Sequence, residues 1–231
     1  MYGFSLSRHQ IHLINRCYMK IIRLLFLFGF ALVALSWFSN ISHCEKKVAR
    51  PDPKRKIISI QSGNSLVKLE SMAAEARLFV KDKKINETVC FLINLSLPSG
   101  QNRFFIYNLT KDTVQAAGLV AHGNCFENWL EGRRYSNVVG SGCSSLGKYK
   151  IGNSYHGKFG YSYKLYGLDG TNNKAFERTV VLHAHTCIPE SEVADDICQS
   201  NGCPMVSPGF LLDLKKIINQ SEKPLLLWIY E

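Results

Sequence analysis

Hydrophobic patterning divides the chain into four regimes. Residues 20–38, KIIRLLFLFGFALVALSWF, form an almost unbroken apolar run behind a basic start, whereas residues 45–62 are charged, proline-containing and without period. The first pattern predicts a secretory signal sequence or an uncleaved membrane anchor, because its length lies between a signal core and a membrane span. Met19, directly ahead of Lys20, reads as the natural start of such a segment. The second pattern predicts a tether. Over residues 64–81 the apolar positions Leu66, Leu69, Met72, Ala73, Ala76 and Phe79 fall near one helical face, which predicts a packing helix that carries no chemistry.

Beyond Thr88 the period falls to two. VCFLINL (89–95) and RFFIYNL (103–109) flank a Pro-Ser-Gly turn and predict a hairpin, with a third strand over 114–121 and further strands over 149–151, 161–168 and 179–183. Ser207-Pro208 predicts the N-cap and first-turn proline of a helix running to Asn219, and residues 225–230 predict a buried closing strand. The expected fold class is therefore mainly β with flanking helices. The expected organisation is a signal or anchor over 1–44, a linker and packing helix over 45–86, and the principal domain over 87–231.

The 231 residues suit one domain plus appendages, and the net charge is +10. Arg8, Arg16, Lys20 and Arg23 precede the apolar run, so the basic excess beyond Cys44 is only six. That excess is compatible with an anionic envelope polymer, while the scatter of Lys and Arg and the lack of a recognised motif speak against nucleic acid. Export raises the question of cysteine pairing among Cys90, Cys125, Cys143, Cys187, Cys198 and Cys203. A nucleophile must stay free, and if Cys203 is free then at least one other cysteine is unpaired. Connectivity is open at this point, with Cys125–Cys143 and Cys187–Cys198 as the first pairings to expect.

Candidate chemistry concentrates in residues 180–206, VVLHAHTCIPESEVADDICQSNGCPMV. A strand-like piece carrying His183 and His185 leads to a small-residue turn, Ser200-Asn201-Gly202-Cys203. A thiol is only slightly ionised at neutral pH and needs a neighbour to take its proton, for which histidine is suited. A Gly-containing turn also lets the N–H groups of Asn201, Gly202 and Cys203 converge on a tetrahedral oxyanion. Two alternatives compete. His185, Cys187, Cys198 and Cys203 are all zinc-ligand types, although their spacing lacks the tight Cys pairs of ribbons and fingers. A Cys187–Cys198 disulfide is the other, and it leaves Cys203 available.

The segments FFIYNL, LVAHG, GSGCSSLGKYKIG, HGKFGYSYKLYGLDGTNN, VVLHAH and SNGCPMV occur in this order over about residues 87–231. Together they resemble the murein L,D-transpeptidase catalytic domain family, in the branch whose cysteine motif reads S-x-G-C-P. The resemblance implies a β-sandwich-like catalytic domain, exported to the periplasm or envelope of a bacterium and, if the N-terminal segment is uncleaved, held to the membrane by it. Its substrate would be peptidoglycan stem peptides, and it would need no metal or organic cofactor. It implies Cys203 as nucleophile and His183 as its base, with His185 as a rival. Gly202, Asn201 and Ser200 form the turn. Ser144 and Ser145 match an SSLG motif, Tyr155 and His156 are expected in a loop bordering the cleft, and His122 matches an AHG motif either as a site residue or as a structural histidine. The implied reaction is cleavage of a tetrapeptide stem through a thioester, resolved by an amine to a crosslink or by water as an L,D-carboxypeptidase. Carbapenems would acylate the cysteine. A non-catalytic wall-binding protein and a zinc-stabilised envelope protein are the other classes. Asn201 stands where a histidine is frequent, and Pro204-Met205 replaces residues that often include an arginine, so substrate anchoring must come from elsewhere.

Overall fold

The computed structural model describes residues 63–231. The signal or anchor and the tether expected further upstream lie outside the described residues, among which no helix is long and apolar enough to cross a membrane.

Helix α1 (Gly63–Val80) buries Leu69, Ala73, Ala76 and Val80, a stripe at three- and four-residue spacing. Leu66, expected on that face, is exposed, and Met72 and Phe79 are half-buried at its edge. The stripe packs on Cys90, Leu92, Phe105, Tyr107, Leu226 and Trp228, which belong to the outer face of the sheet.

The strands are β1 (Val89–Asn94), β2 (Phe104–Asn108), β3 (Thr113–Gly118), β4 (Val120–Ala121), β5 (Gly147–Gly157), β6 (Gly160–Gly167), β7 (Val181–Ala184) and β8 (Met205–Val206), then helix α2 (Pro208–Gln220) and β9 (Leu226–Tyr230). They form one sheet in the order β3-β2-β1-β9-β5-β6-β7-β8-β4. Its terminal strands, β3 and β4, are separated in the chain by Leu119 alone, so the sheet curls until it is nearly closed. The expected third strand over 114–121 is thereby corrected to two strands at opposite ends of the order. The physical reason sits at Gly118, where a Cβ would fall 2.6 Å from the Phe210 ring. Without a side chain there, the backbone crosses close over α2 and changes partners.

Strand β9 lies between β1, parallel, and β5, antiparallel, with all five residues buried. Burial on both faces explains its continuous apolar run. The interior holds Phe91, Ile93, Phe104, Tyr149, Tyr163, Leu165, Leu182 and Leu227 against Phe210, Leu211 and Leu214 of α2. That helix starts as expected, with Pro208 in its first turn and Ser207 Oγ accepting from the Phe210 N–H at 3.2 Å.

A candidate active site around Cys203

Two disulfides, Cys125–Cys143 and Cys187–Cys198, leave Cys90 and Cys203 unpaired among the described cysteines. The second disulfide consumes two of the four sulfur and nitrogen ligands of the zinc alternative, because an oxidised sulfur is no longer a thiolate ligand. Cys90 is buried under α1, and burial pushes its thiol up to about 12.

Cys203 is positioned by a short parallel ladder. His183 on β7 pairs with Met205 on β8, and the His183 N–H donates to the Pro204 carbonyl at 3.4 Å. The ladder thus holds the residue after the cysteine against the strand that carries the histidine. Both side chains line one cleft of about 550 Å³, together with His185, Ser200, Asn201, Arg178, Phe126 and Phe159.

The turn before Cys203 is braced from inside. Gly202 has φ of 109°, and a Cβ there would fall 2.8 Å from the Cys143 carbonyl oxygen, so both conformation and space call for glycine. Ser200 Oγ donates to the Cys203 carbonyl at 2.6 Å and accepts from the Gly202 N–H at 3.2 Å. The expectation that the Gly202 N–H serves an oxyanion is corrected: the turn has already used it to close on itself. The N–H groups of Asn201 and Cys203 are the remaining candidates of the three.

Cys203 Sγ accepts from the Val181 N–H at 3.4 Å and lies 3.9 Å from the Thr179 carbonyl. Burial raises its pKa, while the Val181 N–H and the Arg178 charge work the other way. His183 is buried, with Phe159 stacked on its ring at 4.6 Å between centroids. Burial lowers its pKa, the Ala184 carbonyl opposes this, and His185 adds a further lowering. His183 Nδ1 lies 3.1 Å from the Ala184 carbonyl oxygen. A carbonyl can only accept, so Nδ1 carries the proton and Nε2 keeps its lone pair. His185 has the opposite tautomer, since its Nδ1 accepts from the Cys187 N–H at 3.1 Å. Among the described residues no hydrogen bond joins Sγ to either imidazole, a loose arrangement of the kind that tightens when substrate arrives.

Arg178 escaped sequence reasoning. Its Nη1 donates to the Ser136 carbonyl at 2.7 Å and Ser145 Oγ at 2.9 Å, and its Nη2 donates to Ser141 Oγ at 3.2 Å and the Cys143 carbonyl at 2.5 Å. It therefore clamps residues 136–145 beneath the cysteine turn, with Nη2 3.5 Å from where a Gly202 Cβ would stand. Thr179, next in the chain, has φ of 55°, a left-handed conformation that is strained for a β-branched residue. This kink brings Arg178 under the turn and the Val181 N–H to the sulfur. A charged pair, Glu177-Arg178, directly before a strand in F-E-R-T-V-V is the signal that was present.

Five expected cleft residues lie elsewhere. Ser144 Oγ accepts from the Gly123 N–H at 2.9 Å, and Ser145 Oγ bonds Tyr149 and Arg178, so both support the cleft from behind. Tyr155 and His156 are not in a loop: they pair with Ser162 and Tyr161 in the β5–β6 hairpin, because the alternation of the two segments continues to a two-residue turn at Lys158-Phe159. From that turn it is Phe159 that reaches the cleft. His122 is buried in a different cavity, against Arg103.

Residues 62–230 match the family model described as the L,D-transpeptidase catalytic domain. Among solved structures, the chain is similar to the helical cell shape determining protein Pgp2 of Campylobacter jejuni, at 12% identity and a TM-score of 0.43 over 70% of this chain and 55% of that one. It is also similar to an L,D-transpeptidase of Xylanimonas cellulosilytica, at 15% identity and a TM-score of 0.37 over 62% and 60%. L,D-transpeptidase 3 of Mycobacterium tuberculosis, in complex with a faropenem-derived adduct, matches at 12% identity and a TM-score of 0.36 over 62% and 60%. The chain thus spans between 55% and 60% of the length of these three. No curated protein matches it.

Proposed function

Since the chain belongs to the L,D-transpeptidase catalytic domain family, we propose that it is an exported peptidoglycan L,D-transpeptidase that works through a thioester on Cys203. The observation that carries this reading is the opposed tautomers of the two cleft histidines. With Nδ1 protonated, His183 presents a free Nε2 to take the thiol proton, whereas neutral His185 presents an N–H. Burial keeps the resting pair as thiol and imidazole, so His183 acts as a true base at the moment of attack.

In this scheme the Cys203 thiolate attacks the carbonyl between the diamino acid at position three of a tetrapeptide stem and the terminal D-alanine. The Cys203 and Asn201 N–H groups face the oxyanion, and the Arg178 cation below the turn favours both thiolate and oxyanion. Collapse expels D-alanine, which takes its proton from His183. A side-chain amine of a second stem then attacks the thioester, His183 takes the amine proton, and the thiol is restored with a crosslink formed. Water in place of the amine gives L,D-carboxypeptidase activity, and analysis of the products separates the two.

Intact-mass spectrometry after exposure to a carbapenem tests the reading. A stoichiometric adduct on the parent and none on a folded Cys203→Ala variant is expected. An equal adduct on that variant, or crosslinking of stem peptides by it, would sink the assignment.

A further inference from the structure

A second cavity, of about 360 Å³, lies on the other side of Gln199 from the cleft; Gln199 lines both. Its side chain is fixed by two hydrogen bonds to the Leu130 backbone, at 2.9 and 2.8 Å, so the wall between the cavities is rigid. Inside lies Arg103, whose exposure is 0%. Its Nε and Nη2 donate to the Val120 carbonyl at 3.0 and 2.8 Å, and its Nη1 donates to the Leu97 carbonyl at 3.0 Å. These carbonyls satisfy hydrogen bonds without neutralising the charge, and among the described residues no carboxylate forms an ion pair with it. Asp196 lines the same cavity but is engaged by the Ser99 N–H and hydroxyl at 3.3 and 2.5 Å. Burial, and then the charge of Arg133, pull Arg103 down to about 9, with Tyr135 and the more distant Asp196 charge opposing.

Arg103 Nη2 is 3.0 Å from His122 Nδ1. A guanidinium only donates, so Nδ1 accepts and the His122 proton sits on Nε2. That N–H has no hydrogen-bond partner although the residue is only 6% exposed, and the Gly132 backbone beside it raises its affinity for the proton without completing a bond. Arg133 adds a second guanidinium, held by one bond to the Leu97 carbonyl at 2.8 Å and a long contact to Glu231 at 3.8 Å. The cavity therefore presents a buried cation that no carboxylate pairs directly, a half-buried cation with spare donors and an unpaired imidazole N–H, with Asp196 and Glu131 also in its lining. Water would satisfy the donors but not the charge.

We propose that this cavity is an anion site that takes a small carboxylate-bearing molecule between Arg133, Arg103 and the His122 Nε2–H. A carboxylate has lone pairs enough to accept a bidentate guanidinium and a third donor, and the volume suits an amino acid more than an oligopeptide. The amino acid expelled at Cys203 belongs to this class; that link rests on the proposed function, whereas the anion site stands without it.

Calorimetric titration of the full chain with sodium acetate, D-alanine, inorganic phosphate and glycinamide provides the test, repeated on Arg133→Gln, Arg133→Lys, His122→Gln and Cys203→Ala, with thermal unfolding to confirm that each is folded. Acetate and D-alanine are expected to bind the parent one to one. Affinity should weaken at least ~10-fold in Arg133→Gln, recover in part in Arg133→Lys, and persist in Cys203→Ala, while glycinamide, which has no carboxylate, should not bind. His122→Gln keeps an N–H donor and should retain binding. Absence of anion binding, or binding indifferent to Arg133→Gln, overturns the site. Phosphate binding that depends on Arg133 without any D-alanine binding overturns the carboxylate assignment. D-Alanine no tighter than acetate removes the link to the proposed reaction but leaves the site standing.

Discussion

The two ends of the curled sheet are held together by different means. At the β3-β2-β1-β9 end the strands have five or six residues, and β2, β1 and β9 are buried, with α1 on one face and the interior on the other. At the β7-β8-β4 end the strands have four, two and two residues. There the backbone is fixed by polar braces: Ser200 closing the cysteine turn, Arg178 clamping residues 136–145, Gln199 tied to Leu130, and the Cys187–Cys198 disulfide. In β2, β1 and β9 a long apolar ladder has strand partners on both edges and is buried on both faces. A short one braced by side chains leaves a thiol, an imidazole and turn N–H groups facing a cleft, which is what chemistry requires.

The sharpest way to separate the two ends is Phe91→Ala. Phe91 is wholly buried, with its ring 5.5 Å from that of Phe104, and its loss should cost ~3–5 kcal/mol in urea unfolding. The rate of carbapenem acylation per folded molecule should be unchanged. A parallel fall in that rate under conditions where the variant is folded would mean that the two ends are coupled. Arg178→Gln attacks the other end. Acylation near pH 7 is expected to slow ~10- to 100-fold, with the pH profile of thiol alkylation moved upward, because a cation beside the thiolate and two charge-assisted clamps are lost together. Lysine at this position should restore part of the profile through its charge but not the clamp geometry. An unmoved alkylation profile in Arg178→Gln would leave the arginine a purely structural role.

The pH dependence is the smallest effect. His183 is held below its usual 6.5, so it is free to act as base above that depressed value. Acylation should therefore rise on an acid limb below pH 6.5 and stay level through neutrality. The same shift lowers stability as pH falls from 6.5, since the unfolded chain takes up the proton first. A midpoint at or above pH 7 would contradict a buried neutral imidazole.

Much of the apolar end was legible because its strands announce themselves locally. VCFLINL, RFFIYNL and LLLWIY have the apolar density of buried strands, and the helix expected over 64–81 matches α1 (Gly63–Val80) within one residue. Cys203, His183 and the glycine turn were legible as residue types, because a thiol nucleophile requires a base and donors wherever it occurs. Ser144, Ser145, Tyr155, His156 and His122 were not legible as to place. Each belongs to a motif matched in the same order as the cysteine, yet bonds to the Gly123 N–H and to Arg178, a hairpin longer than its apolar pattern, or a buried guanidinium places each elsewhere.

Local periodicity and chemical type determined the elements, the proposed nucleophile and its class of partner. Only the tertiary structure decided which histidine keeps a free lone pair, that Gly202 spends its N–H inside the turn, that the strand expected over 114–121 closes the sheet from both ends, that Arg178 becomes a half-buried clamp under the cysteine turn, and that Arg103 becomes a buried cation. Each of these depends on a carbonyl, a ring or a charge brought close by folding from elsewhere in the chain, or on the direction in which the folded backbone points a neighbour's carbonyl or N–H, and such proximity leaves no trace in a local pattern of residues.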